Sequence, residues 1–224
     1  MTEQKKISES PYQGQPVRTA GEPLDRAQAA MLLVHGRGAS AEDILTLTGE
    51  LAQPGVAYLA PQAADNTWYP NSFLAPLASN EPWLTSALVL LSQVLARIGE
   101  AGIPPERTVL LGFSQGACLT LEFAARNSRR YGGLVGLSGA LIGPDDAPRE
   151  YPGSLAGTPV FLGCSDVDPH VPKERVLQAA EALGRLGGAL TVRLYADMEH
   201  TINQDEISFV RGILRKLIAG SESG

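Results

Sequence analysis

The 224-residue chain is poor in cysteine, carries no excess of positive charge and has no apolar run of membrane-spanning length. Its two cysteines, Cys118 and Cys164, form no CxxC pair and have no metal-ligand spacing, which argues against a zinc site or a redox motif. Both are expected to be reduced, buried small residues. The formal net charge of −6 argues against nucleic acid or an anionic membrane as partner, since both reward a cationic face. A small neutral or acyl substrate is easier to reconcile with it. The opening MTEQKKISES leads into no apolar stretch of the kind a signal peptide needs, so a cytoplasmic protein without stable membrane insertion is expected. What is present is ordinary for one globular domain: 44% hydrophobic and 19% charged residues, enough apolar side chains to cover both faces of a sheet.

Residues 1–28 are polar and punctuated by Pro11, Gly14, Pro16, Gly21 and Pro23, which suits a loose end followed by a hairpin or an edge strand. From Ala29 to Gly220 the pattern is that of one α/β domain. Apolar runs at 29–35, 56–60, 108–113, 132–139, 158–164 and 190–196 predict six strands buried on both faces, hence a mostly parallel sheet. Segments of helical spacing at 41–52, 81–102, 115–128, 172–187 and 203–220 alternate with them, the βαβ pattern that puts helices on both faces. The loops 61–80 and 139–157 are long and rich in Pro, Gly, Asn and Ser, and loops at the carboxyl ends of parallel strands are where ligand contacts arise.

Gly112-Phe113-Ser114-Gln115-Gly116 reads G-x-S-x-G between a strand pattern and a helix pattern. That context turns a common pentapeptide into a nucleophile candidate, because a sharp strand-to-helix turn lifts the hydroxyl above the sheet. Ser114 also stands where free backbone N–H groups favour negative charge. Read blandly, it is a helix-capping serine between glycines. A serine nucleophile needs a general base. His200, between the last strand and the last helix, is preferred over His35, which suits a loop brace, and His170, which suits a turn. For the carboxylate, Asp166 and Asp168 both follow the strand TPVFL; Asp168 is preferred because Pro169 fixes the backbone after it. Asp145 and Asp146 read as solvated. The order Ser, Asp, His is that of the α/β-hydrolase arrangement.

An oxyanion needs two aimed N–H donors, and these are expected from the backbones of Gln115 and of Arg37 in the His35-Gly36-Arg37-Gly38 turn. The Arg37 side chain is a candidate to meet a polar or acidic group of the substrate. Residues 66–74 concentrate large apolar side chains in a loop. Trp68, Tyr69 and Phe73, with Phe113 of the pentapeptide, are therefore candidate substrate contacts; the alternative is a satellite core over the sheet.

LLVHGRG, APQ with the later WY pair, LLGFSQGA, DVDPHVP and MEHTI together resemble the phospholipase/carboxylesterase group of α/β-hydrolases, which includes the acyl-protein thioesterases. The resemblance covers residues 31 to 202. It implies hydrolysis of esters or thioesters by Ser114, Asp168 and His200 without metal or cofactor, often as a homodimer, and its D-P-x-V-P segment favours Asp168 over Asp166. Members acting on long lipid chains commonly have a hydrophobic residue where this chain has Arg37, and dienelactone hydrolases of similar topology use cysteine where Ser114 stands. The expected activity is a serine carboxylesterase on short to medium acyl esters. A thioesterase or lysophospholipase is the enzymatic alternative, and a non-catalytic ligand-binding protein of the same fold the alternative of another class.

Overall fold

The computed structural model describes residues 11, 12 and 14–219. The first ten residues of the predicted polar segment, residue 13 and the predicted helix end at 220 lie outside the described residues.

Among the described residues one seven-stranded sheet forms, in the order β1-β3-β2-β4-β5-β6-β7. The strands are β1 (Val17–Gly21), β2 (Ala29–Val34), β3 (Val56–Pro61), β4 (Thr108–Phe113), β5 (Gly133–Leu137), β6 (Pro159–Ser165) and β7 (Ala189–Tyr195). β1 runs antiparallel along β3 at one edge, with Thr19 opposite Leu59. All other pairings are parallel, Leu32 of β2 lying against Leu59 on one side and Leu110 on the other.

Successive strand residues point to opposite faces, so each buried strand feeds two cores. Ala30, Leu32 and Val34 join Leu59, Leu110 and Leu162 in one core, covered by helices α3 (Trp83–Glu100), α4 (Gln115–Arg126) and α5 (Lys173–Arg185). Ala29, Met31 and Leu33 join Val109, Val135 and Phe161 in the other, covered by α1 (Ala41–Leu45), α2 (Thr48–Leu51) and α6 (Gln204–Ala219). The α3 register shows why it forms: Leu84, Ala87, Leu91, Val94 and Ile98 recur every three or four residues and are all buried, giving one apolar stripe. α4 packs on β4 and β5 with α3 beside it, and is buried all round from Gln115 to Ala125.

Two predictions need correction. The helix expected over 41–52 is two short ones. The hydroxyls of Thr46 and Thr48 donate to the carbonyls of Asp43 and Leu45, at 2.6 and 2.7 Å, and so compete with the helical ladder where it breaks. β7 is not buried on both faces: it has β6 as its single neighbour in the sheet, and Leu194 is 37% exposed.

Candidate active site

Each candidate stands at the carboxyl end of a parallel strand. Ser114 directly follows β4 and is the N-cap of α4, with φ 54° and ψ −122°, a region that costs a non-glycine residue about 1–3 kcal/mol and persists only where its surroundings impose it. The flanking glycines show what imposes it. A Cβ on Gly112 would fall inside contact distance of the Gly116 carbonyl, and one on Gly116 would fall inside that of the Val34 carbonyl. The Ser114 N–H donates to the Leu137 carbonyl at 2.9 Å, tying the turn to β5.

The three predicted groups converge. Ser114 Oγ lies 2.9 Å from His200 Nε2, and His200 Nδ1 lies 2.7 Å from Asp168 Oδ2. The Asp168 side chain is wholly buried and the His200 side chain 18% exposed. Oδ1 of Asp168 accepts the backbone N–H groups of His170 and Val171, at 2.8 and 3.0 Å. Burial pushes this carboxyl upward, but the hydrogen bonds from His200 and those two amides outweigh it and hold the pKa below its ordinary value. The group is therefore an anion that fixes Nδ1 as the protonated ring nitrogen and leaves Nε2 to accept from the serine. Asp166, the rival acid, instead accepts the Asp197 N–H at 3.0 Å and braces the loop that carries His200. His35 is a brace as well. Its Nδ1 donates to the Gly36 carbonyl at 2.8 Å and its Nε2 accepts the Ala63 N–H at 3.1 Å, while burial lowers its pKa and keeps the ring neutral.

The turn after β2 lies beside the serine: a Cβ on Gly36 would stand 3.3 Å from Ser114 Cβ. Among the described residues, the backbone N–H groups of Arg37 and Gln115 meet no protein acceptor. The Gln115 side chain has a further use the sequence reading did not give it. It accepts the Trp68 N–H at 2.9 Å and donates to the Tyr69 carbonyl at 2.8 Å, joining the serine turn to the 66–74 loop.

Arg37 points at that same loop. Its guanidinium donates to the carbonyls of Tyr69, Pro70 and Asn71, at 2.8 to 3.1 Å. Three of its five N–H donors are thus engaged with protein rather than open to a ligand, a long-range contact with no periodic trace in the sequence. Trp68 sits elsewhere than expected. It is fully buried, its indole N–H donates to the His35 carbonyl at 2.7 Å, and its ring packs on those of Tyr12 and His35. It supports the floor from beneath. Phe113 likewise does not line the cavity; its ring stands 5.1 Å from that of His200 and backs the imidazole. Tyr69 and Phe73 do line a cavity of about 480 Å³ that opens on Ser114 and His200. The other walls include Asn71, Ser72, Cys118, His170 and Val171, which the sequence did not single out as substrate contacts. The two long loops meet here: the Gly143 N–H donates to the Phe73 carbonyl at 2.7 Å, and buried Arg175 lies 5.4 Å over the Phe73 ring. Asp145, expected to be solvated, pairs with Arg175 at 3.0 Å while itself 80% exposed.

The model of the family described as phospholipase/carboxylesterase matches residues 18–218. The crystal structure of a phospholipase/carboxylesterase from Dyadobacter fermentans superposes with a TM-score of 0.86 at 44% identity, covering 89% of this chain and 96% of that one. Acyl-protein thioesterase 1 of Candida albicans is 28% identical over 217 residues, 85% of this chain and 94% of the relative. Acyl-protein thioesterase 1 of Gibberella zeae is 36% identical over 126 residues, and that match spans about half of each protein, 52% of this chain and 51% of the relative. A family match over nearly the whole described chain, on a sheet of this order, means that the chain belongs to the phospholipase/carboxylesterase family of α/β-hydrolases and is a hydrolase of the esterase and thioesterase kind.

Proposed function

We propose that this hydrolase cleaves carboxylic esters of short to medium acyl chains through an acyl-enzyme on Ser114. The observation that carries the reading is the unbroken line of contacts from Ser114 Oγ to His200 Nε2 and from His200 Nδ1 to Asp168 Oδ2. In this mechanism Oγ attacks the ester carbonyl as its proton passes to Nε2. The carbonyl oxygen becomes an oxyanion facing the N–H groups of Arg37 and Gln115. Collapse breaks the bond to the alcohol oxygen, which leaves with the proton from Nε2. Water then repeats the sequence on the acyl-serine: its proton goes to Nε2 and returns to Oγ as the acid departs. Asp168 remains an anion throughout and holds the imidazole.

A cavity of about 480 Å³, walled in part by Tyr69 and Phe73, gives the acyl or alcohol part of an ester room beside Ser114. The two cysteines, both free and buried, are in keeping with action in the cytoplasm. Thioesters are the second reading, favoured by the thioesterase names of the fungal relatives. The test is turnover of 4-nitrophenyl acetate by wild type and by His200→Ala. A loss of at least about a thousandfold is expected, and unchanged turnover contradicts the role of His200. Matched oxygen esters and thioesters from acetyl to palmitoyl then decide between the two readings.

A further inference from the structure

The polar side of the cavity is unlike the rest of an acidic chain. Of the side chains that line it, none is an aspartate or glutamate, while Arg37 and His170 both face it. Arg37 is bound to three carbonyls, which orient a guanidinium without neutralising it, and among the described residues no carboxylate lies within ion-pair distance of it. Two of its five N–H donors are unspent. His170 is exposed, its ring 4.9 Å from that of His200, and among the described residues its imidazole has no hydrogen-bond partner. The acids around this wall are spoken for: Asp168 is held by His200 and two amides, Asp145 by Arg175 behind Phe73, and buried Glu122, which acts on Tyr69 and Cys118, by Arg126, the Tyr151 hydroxyl and the Ile142 N–H. Esters of neutral acids and alcohols have no use for such donors. A carboxylate does, because a charged acceptor makes hydrogen bonds about twice as strong as neutral ones.

We propose that the preferred substrate is a short ester carrying a carboxylate, held between the guanidinium of Arg37 and the imidazole of His170. This rests on Ser114 acting as the esterase nucleophile.

The test uses the whole chain and two matched pairs of esters. One pair places the charge on the acyl side, 4-nitrophenyl hydrogen glutarate against 4-nitrophenyl pentanoate. The other places it on the leaving group, 4-acetoxybenzoate against its neutral methyl ester. In at least one pair the anionic ester is expected to show about tenfold higher kcat/KM, the gain of one charge-assisted contact. The pair that does so tells on which side of the scissile bond the carboxylate sits. Arg37→Gln, which keeps donors for the loop carbonyls while removing the charge, brings that ratio toward one, and His170→Ala lowers it by a smaller factor. Should the Arg37 variant not fold, the wild-type ratio itself answers, since raising salt from about 0.05 M to about 1 M screens a partly exposed charge and must shrink the preference. Neutral esters cleaved as well as or better than anionic ones in both pairs overturn the carboxylate site and leave Ser114 chemistry standing. Failure to cleave either member of either pair overturns the esterase reading on which the site depends.

Discussion

Two concavities at opposite ends of the sheet differ in what they can do. The larger, about 700 Å³, lies near the amino ends of β5, β6 and β7 against α6 and is lined by Tyr131, Val160, Arg193, Ser208, Phe209 and Ile213, among others. The smaller, about 480 Å³, lies at the carboxyl ends and contains Ser114 and His200. The larger holds a serine but no histidine, and its Arg193 is already paired with Asp205. In a parallel sheet every strand-to-helix turn falls at the carboxyl end, so unpaired amides, helix amino termini and side chains from distant segments gather there and not at the other end. Volume does not mark the site; convergence of groups that complete one another does.

The two ends of the sheet differ most when one serine is set against the other. Ser114→Ala should lower ester turnover by on the order of 10⁴-fold or more, while Ser208→Ala should leave it within about twofold, as surface changes usually do. Steady-state rates of both variants check it. Asp168→Asn comes next: the amide no longer enforces the required tautomer, so kcat should fall by about 10³- to 10⁴-fold with little change in folding. Equal loss from Asp166→Asn would reverse the assignment.

Gly116→Ala probes the strain at the carboxyl end. Its new Cβ meets the carbonyls of Val34 and His35, and the clash should destabilise the protein by about 3 kcal/mol, read as a lower urea midpoint. The smallest effect concerns Glu206, which caps α6 by accepting the Asn203 N–H at 2.9 Å and lies fully buried against Gly163. Burial pushes its pKa up to about 7, against a pull downward from the Asn203 amide and a further push from Asp205. The folded state thus binds its proton more tightly than the unfolded chain. That stability is fully present below the ordinary glutamate range and is lost as pH rises through about 7. Glu206→Gln should therefore flatten the decline of stability between those limits, by up to about 3 kcal/mol, in denaturation curves taken at several pH values.

The parallel sheet with helices on both faces was legible because burial on two faces leaves a continuous apolar run that only a few arrangements satisfy. The meeting of Ser114, Asp168 and His200 was legible for a related reason: each follows a strand, and parallel strands deliver their ends to one side. Periodicity reports that a side chain is buried, not against what. Trp68 therefore read as a substrate contact although it lies under the loop. The contacts of Gln115 and Arg37 with residues 68–71 join segments more than thirty residues apart and leave no local pattern. The half-exposed β7 was hidden for a different reason, since edge position depends on strand order and not on the composition of the strand.

Covalent capture asks at the residue itself whether its neighbours activate the hydroxyl of Ser114. Treatment with a fluorophosphonate, followed by intact mass and peptide mapping, should add one adduct per chain on the peptide bearing Ser114 and none on the Ser114→Ala protein. An unlabelled wild-type chain, or an adduct carried by another serine, would contradict that activation.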